Sequence, residues 1–252
     1  MLHYEISGSG KTVLVLLHGF MESTEVWYDM LPELEKNFTV LRIDLPGHGK
    51  SPSNDKTISM ESMATAVRNT LEKLKIYSFH LLGHSMGGYV SLSYAERYPG
   101  TLKSLTLFFS SPLPDSEDKK NIRHKSLQII KEDFKKYIAL GIPNLFNPNE
   151  KEKLDSKIEL AKEIALKTPI KGALASVKGM LERTDKREVL ENIHLKVLII
   201  SGRLDLAVNT FEMIKSLPEN PNIKIYTLDC GHNGHWEKPT ICTEIIKTEL
   251  IS

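Results

Sequence analysis

With 252 residues, a net charge of +1, and 40% apolar against 26% charged side chains, the chain has the composition of a globular protein with a sizeable core. The near-neutral charge argues against nucleic acid or an anionic membrane surface as a partner. Met1-Leu2-His3-Tyr4-Glu5 has neither the basic nor the apolar region of a signal peptide, and no apolar run is long enough to span a bilayer. The expectation is a cytoplasmic protein with no membrane partner.

Leu2 to Ser7 reads as a short edge strand, turned by Gly8-Ser9-Gly10. Val13 to Leu17 is a continuous apolar run, as in a strand buried on both faces, and it empties into His18-Gly19-Phe20. From Ser23 to Glu35, Trp27, Met30, Leu31 and Leu34 recur at helical spacing behind a Ser/Thr cap. Phe38 to Leu45 is a third strand, ending in Asp44-Leu45-Pro46-Gly47-His48-Gly49, and Ser59 caps a helix through Leu74. Phe79 to Leu82 is again apolar. After Gly83-His84-Ser85-Met86-Gly87-Gly88, Tyr89 to Tyr98 reads as a helix stopped by Pro99-Gly100, and Leu102 to Phe109 as a strand. Such alternation indicates an α/β protein with a mostly parallel central sheet and helices on both faces.

From Pro112 to Leu190 the alternation stops. Leu127, Ile130, Phe134 and Ile138 share one helical face, and Leu154, Ile158, Ala161 and Ala165 another, with Pro143, Pro148 and Pro169 breaking the pattern between helices. Residues 112–190 are therefore read as a helical cap inserted into a core made of 1–111 and 191–252. Basic residues outnumber acidic ones in this segment, which a solvated helix face explains and which could also draw an anionic substrate. The core resumes with Lys196 to Ser201, a strand ending in Gly202-Arg203-Leu204-Asp205. A helix from Asn209 to Leu217, a strand from Ile223 to Leu228, Cys230-Gly231-His232 and a helix from Thr240 to Leu250 complete the chain. Cys230 and Cys242 are expected to pack as small apolar residues rather than to pair.

Gly-x-Ser-x-Gly between a strand and a helix is the setting of a nucleophile elbow. Its sharp turn crowds the neighbours, so Gly83 and Gly87 supply positions without a Cβ, and the Ser85 hydroxyl stands clear of the sheet at a helix N-terminus. A serine hydroxyl is a poor nucleophile at neutral pH and needs a base, which needs an orienting partner. Asp205 and His232 each follow a strand, and strand ends on one edge of a parallel sheet converge on one crevice. Other readings compete. Asp205 could merely cap the next helix. Asp44 is a rival acid, although its Pro-Gly-His-Gly surroundings suggest a structural turn. His84 reads as a packing residue, His18 and His48 as loop residues, and His235 as support for the loop after His232. Trp27 and Tyr89 are candidates either for a substrate pocket or for the core. His232 and His235 are not accompanied by carboxylates or cysteines at zinc spacing, so neither metal nor cofactor is expected.

Five features together, His18-Gly19-Phe20, Asp44 to Ser51, the elbow, Gly202 to Asp205, and Gly231-His232 followed by Glu237 and Pro239, make the whole chain resemble the α/β-hydrolase superfamily. The resemblance implies Ser85 as nucleophile, His232 as general acid/base, and Asp205 as the carboxylate that fixes the histidine tautomer. It also implies an oxyanion hole from the backbone N–H groups of Phe20 and Met86. The implied activity is hydrolysis of a small-to-medium ester through an acyl-enzyme, with a small-molecule substrate and no cofactor; oligomeric state stays open. The N-terminal half also looks like the menaquinone-pathway synthase that eliminates pyruvate, but that family has arginine after the elbow glycines where this chain has Tyr89. Arg123 and Arg183 are the candidates to replace it. Carbon–carbon bond hydrolysis and a slow-turnover ligand receptor share the same triad and remain alternatives.

Overall fold

In the computed structural model, which describes residues 1–251, the apolar runs become seven strands. They are β1 (Tyr4–Ser7), β2 (Thr12–Leu17), β3 (Phe38–Ile43), β4 (Phe79–His84), β5 (Leu102–Phe108), β6 (Lys196–Gly202) and β7 (Ile223–Leu228). Their order in the sheet is β1-β3-β2-β4-β5-β6-β7. β1 runs antiparallel to β3 on the edge, from Tyr4↔Ile43 to Ser7↔Val40, and the other pairings are parallel. Consecutive strands β3 and β4 lie on opposite sides of β2, so the winding direction reverses there. A crevice opens beyond the strand ends at such a reversal. It brings the residues after β2, Gly19 and Phe20, beside the residue after β4, Ser85.

The helices α1 (Leu31–Leu34), α2 (Met60–Lys73) and α3 (Met86–Arg97) precede β5. Between β5 and β6 lie α4 (Glu117–Glu132), α5 (Phe134–Gly141), α6 (Asp155–Leu166), α7 (Ile170–Glu182) and α8 (Arg187–Asn192). The last helices are α9 (Thr210–Lys215), α10 (Gly234–Glu237) and α11 (Pro239–Ile251). Side chains of a strand alternate between faces, so one continuous apolar run feeds two cores. Val15, Leu17, Leu81, Leu107 and Ile199 pack with Met63 and Val67 of α2 and Val90 and Tyr94 of α3. Leu14, Leu16, Leu82, Phe108 and Ile200 pack with Trp27, Leu34 of α1, and Ile246 of α11. Cys230 and Cys242 are free and buried, both in this second core. Among the described residues no helix is long and apolar enough to cross a membrane.

Two stretches depart from the periodicity. Ser23 to Glu35 is not one helix: Thr24–Trp27 is a 3-10 turn capped by Ser23, and α1 begins separately at Leu31. Pro32 is the cause, because proline is tolerated in a first helical turn but not in a helix interior. Similarly, Leu127 and Ile130 belong to α4, whereas Phe134 and Ile138 belong to α5. Asp133 breaks the face with φ −153° and caps α5 by accepting the Lys136 N–H at 2.9 Å.

Helix α7 packs directly against the loop between β3 and α2. Its Gly172, Ala175 and Gly179 form a stripe of small residues, and the Ile58 N–H donates to the Ala175 carbonyl at 3.1 Å. A Cβ at Gly179 would overlap the Ile58 carbonyl oxygen, and one at Gly172 the Gly47 carbonyl oxygen. In an open helix interior, Gly→Ala is worth about 1 kcal/mol of added stability. Here the backbone approach reverses the sign, and overpacking of this kind costs about 1–3 kcal/mol. Gly179→Ala is therefore expected to lower the midpoint of urea unfolding with an unchanged slope; an equal or higher midpoint would show that α7 can move off the loop without loss.

Candidate active site

The site begins with the backbone of Ser85, held at φ 51° and ψ −115° between β4 and α3. Such a conformation costs on the order of 1–3 kcal/mol for a non-glycine residue and persists only where the surroundings enforce it. They do so here. The Ser85 N–H donates to the Phe108 carbonyl at 3.0 Å, and the Ser85 carbonyl accepts from Ser110 Oγ at 2.7 Å. A Cβ at Gly83 would overlap the Gly87 carbonyl oxygen, and one at Gly87 the Leu17 carbonyl oxygen, so the start of α3 rests directly on the end of β2. α3 starts at Met86, three residues before its sequence periodicity becomes visible. Ser85 is half-buried while its neighbours on both sides are buried, which leaves its side chain a way out.

Asp205 follows β6, His232 follows β7, and both are buried. His232 Nδ1 lies 2.7 Å from Asp205 Oδ2, and its Nε2 lies 2.8 Å from Ser85 Oγ. A carboxylate can only accept, so Nδ1 carries the proton and Nε2 is left free to take one from the serine. The other Asp205 oxygen accepts the N–H groups of Ala207 at 2.7 Å and Val208 at 2.9 Å. The carboxylate thus fixes its own loop with one oxygen and the imidazole with the other. It does not cap α9; Asn209 does, accepting from the Glu212 N–H at 3.2 Å.

His18 ties down the loop after β2. Its Nδ1 donates to the Gly19 carbonyl at 2.7 Å and its Nε2 accepts the Leu45 N–H at 2.9 Å, while burial lowers its pKa. Among the described residues the N–H groups of Phe20 and Met86 have no hydrogen-bond partner. Asp44 is buried and accepts the N–H groups of Thr24 and Lys50, both at 2.8 Å, so it is a structural turn. His48 is buried behind that loop, its pKa lowered by burial to about 3. His235 is also fully buried and neither ring nitrogen is hydrogen-bonded; burial holds its pKa well below the usual value. Trp27 belongs to the core; Tyr89, also buried in the core, borders a cleft with Met60, Ser111, Leu113 and Arg183. Arg123 and Arg183 converge on the buried carboxylate of Asp115, with Arg183 stacked 4.0 Å over the Tyr89 ring. Among the described residues no cluster of three or more His, Cys, Asp or Glu is placed to hold a metal ion.

Three polar residues matter more than sequence reasoning suggests. His84 is not a passive packing residue: its Nδ1 lies 2.9 Å from Glu22 Oε2 and its Nε2 donates to the His232 carbonyl at 3.0 Å. Glu22 passes unnoticed in the sequence because no spacing rule links it to His84 across 62 positions. Glu237 accepts the N–H groups of Gly231 at 2.9 Å, Asn147 at 3.0 Å and Asn233 at 3.2 Å, bracing the turn that carries His232. Burial raises its pKa despite those three donors. Its place in the motif after Gly231-His232 is the signal that points to it.

The family model for the α/β-hydrolase fold matches residues 12–155. Over 264 residues the chain is 27% identical to monoacylglycerol lipase ABHD6 of Bos taurus, covering 96% of this chain and 76% of that protein. Over 207 residues it is 28% identical to the pimeloyl-[acyl-carrier protein] methyl ester esterase of Salmonella newport (strain SL254), covering 80% and 79%. A thermophilic esterase from Thermogutta terrifontis superposes with a TM-score of 0.92 at 28% identity, covering 99% of this chain and 93% of that one. The elbow, the strand-end acid and histidine, and the matched family model leave one assignment: this chain belongs to the α/β-hydrolase family of enzymes.

Proposed function

We propose that this protein is a serine hydrolase that cleaves small-to-medium esters of carboxylic acids through an acyl-enzyme on Ser85. The observation that carries the reading is the unbroken hydrogen-bond path from Asp205 through His232 to Ser85, ending beside two unpartnered backbone N–H groups. In the first step Ser85 Oγ bonds to the acyl carbon and its proton passes to His232 Nε2. The carbonyl oxygen becomes negative and accepts from the N–H groups of Phe20 and Met86; one such donor is typically worth on the order of 3 kcal/mol. The imidazolium is stabilised by Asp205 and gives its proton to the departing alkoxide. Water then attacks the acyl-enzyme along the same path in reverse, which restores Ser85 and releases the acid.

The ester assignment draws support from the relatives, whose names specify a lipase and ester esterases. The pyruvate-eliminating alternative needs cationic groups free for substrate carboxylates, and Arg123 and Arg183 are both engaged with Asp115. In this reading residues 112–190 are a cap over the serine. Leu145 of that segment accepts the His232 N–H at 2.8 Å, which is what a cap seated on the site would do.

Ser85→Ala is expected to lower hydrolysis of a nitrophenyl ester by ~10⁴-fold or more with folding nearly intact, and to abolish labelling by a fluorophosphonate. Labelling that persists in the alanine variant would end the assignment of Ser85. Wild-type turnover should continue beyond one equivalent; a burst with no steady phase would instead favour a ligand receptor.

The two histidines after β7 should separate cleanly. His232→Ala removes the base and is expected to abolish turnover. His235→Ala leaves a cavity and lowers stability by about 2–4 kcal/mol, but should keep turnover per labelled site within ~10-fold of wild type. A dead His235→Ala alongside an active His232→Ala would show that the base is misplaced.

A further inference from the structure

Behind the reacting groups, on the side away from solvent, Glu22 and His84 meet in a pocket of aromatic rings. His84 is fully buried, and its ring lies against Trp27, Phe108 and Phe109 at centroid distances of 6.4, 5.9 and 6.4 Å. The Glu22 side chain is 11% exposed. Each member of the pair makes a second bond. Glu22 Oε2 also accepts the Gly19 N–H at 2.6 Å, and His84 Nε2 donates to the His232 carbonyl at 3.0 Å. The pair also fills the space against the Gly19 α-carbon, where a Cβ would come within 2.9 Å of both Glu22 Oε2 and His84 Nδ1.

We infer that Glu22 and His84 are a positioning pair that ties the loop presenting the Phe20 N–H to the backbone of His232, so that the oxyanion donors and the base are held in one mutual geometry. The bonds run in a single chain: Gly19 N–H to Glu22, His84 to Glu22, and His84 to the His232 carbonyl. Neither side chain lies where a substrate would touch it, so their effect passes through Gly19 and His232.

The charge states agree with the geometry. Burial acts against charge on both groups, yet His84 draws the Glu22 pKa down to about 2, and Glu22 outweighs burial to raise that of His84. The other titratable groups facing the pair are His18, His48, His232, His235 and Asp205. Of these, His18, His48 and His235 are kept neutral by burial. A neutral His84 would have one N–H for two acceptors, the Glu22 carboxylate and the His232 carbonyl. The doubly protonated ring satisfies both.

The inference rests on the proposed roles of Ser85 and His232, and kinetics per active site separate the two. Turnover of a nitrophenyl ester is measured with active sites counted by fluorophosphonate, which removes unfolded protein from the comparison. Glu22→Ala and His84→Ala are each expected to lower kcat per site by ~10²-fold, the order of one lost oxyanion donor, with KM within ~3-fold. Glu22→Gln, with its amide oxygen in the place of Oε2, can still accept from both the Gly19 N–H and the His84 Nδ1–H, so it should recover to within ~10-fold of wild type. Since the two act as a unit, the double alanine variant should be no worse than the poorer single one. Alanine variants with wild-type kcat per site and only a lower Tm, or a glutamine variant as impaired as alanine, would overturn the inference. If the alanine variants do not fold, ¹⁵N NMR of the wild-type protein at pH 8 decides: both His84 ring nitrogens protonated supports the pair, and an unprotonated one at either position overturns it. A wild-type enzyme without Ser85-dependent turnover would undo the proposed function itself, whereas Ser85-dependent turnover that ignores Glu22 would undo this inference alone.

Discussion

The backbone of Ser85 stands in a conformation that L-residues avoid, and the packing around it exists to keep it there. The start of α3 presses on the end of β2, with no room for a Cβ at Gly83 or Gly87. Phe108 and Ser110 bond the serine's own amide and carbonyl from β5 and the residues just after it. Three adjacent strands therefore define one torsion pair. Met21 and Phe109, near the ends of β2 and β5, also have positive φ, at 58° and 49°. Strain of this kind collects where a rigid sheet over-determines its loops. Toward their C-terminal ends β2, β4 and β5 are buried on both faces and cannot relax it.

Around that elbow, the chain distributes its buried histidines among different electrostatic settings. His18 and His48 sit behind the loop after β2 with their basicity suppressed by burial. His235 packs against the rings of Trp27, His84 and Trp236, with no partner for either nitrogen. His84 faces the Glu22 carboxylate, which outweighs burial and raises its pKa. His232 faces Asp205 on one side and a hydroxyl on the other. One residue type thus serves as strut, spacer, cation and proposed base, according to whether a carboxylate lies within 3 Å and what the second ring nitrogen meets.

The sheet and the strand-end residues were legible because both depend on local signals. Val13 to Leu17 and Phe79 to Leu82 are apolar without interruption, which a strand buried on both sides requires, and Ser85, Asp205 and His232 fall where such runs stop. The structure puts those three within hydrogen-bond reach. Pro32 and Asp133 were the errors of a periodicity reading: each breaks a helix through backbone chemistry that an apolar stripe does not register. Glu22 and His84 could not be paired from sequence, because their contact is made between the loop after β2 and the end of β4, and neither carries a pattern. Asp205 shows a subtler difference. The acid is used twice, once by its own loop and once by His232, and sequence offers those as rival readings.

The bond from the His232 N–H to the Leu145 carbonyl joins the proposed base to the helices inserted between β5 and β6. Inserts of this kind look modular, since both ends return to neighbouring strands of one sheet. In this chain the insert is not a free module. A segment grafted from a relative would have to deliver a carbonyl oxygen to the same point, or leave the amide of the base to find water instead. Under the proposed function, altering what the enzyme accepts and altering how well it reacts are then one mechanical problem, and selection on the insert is also selection on the chemistry proposed beneath it.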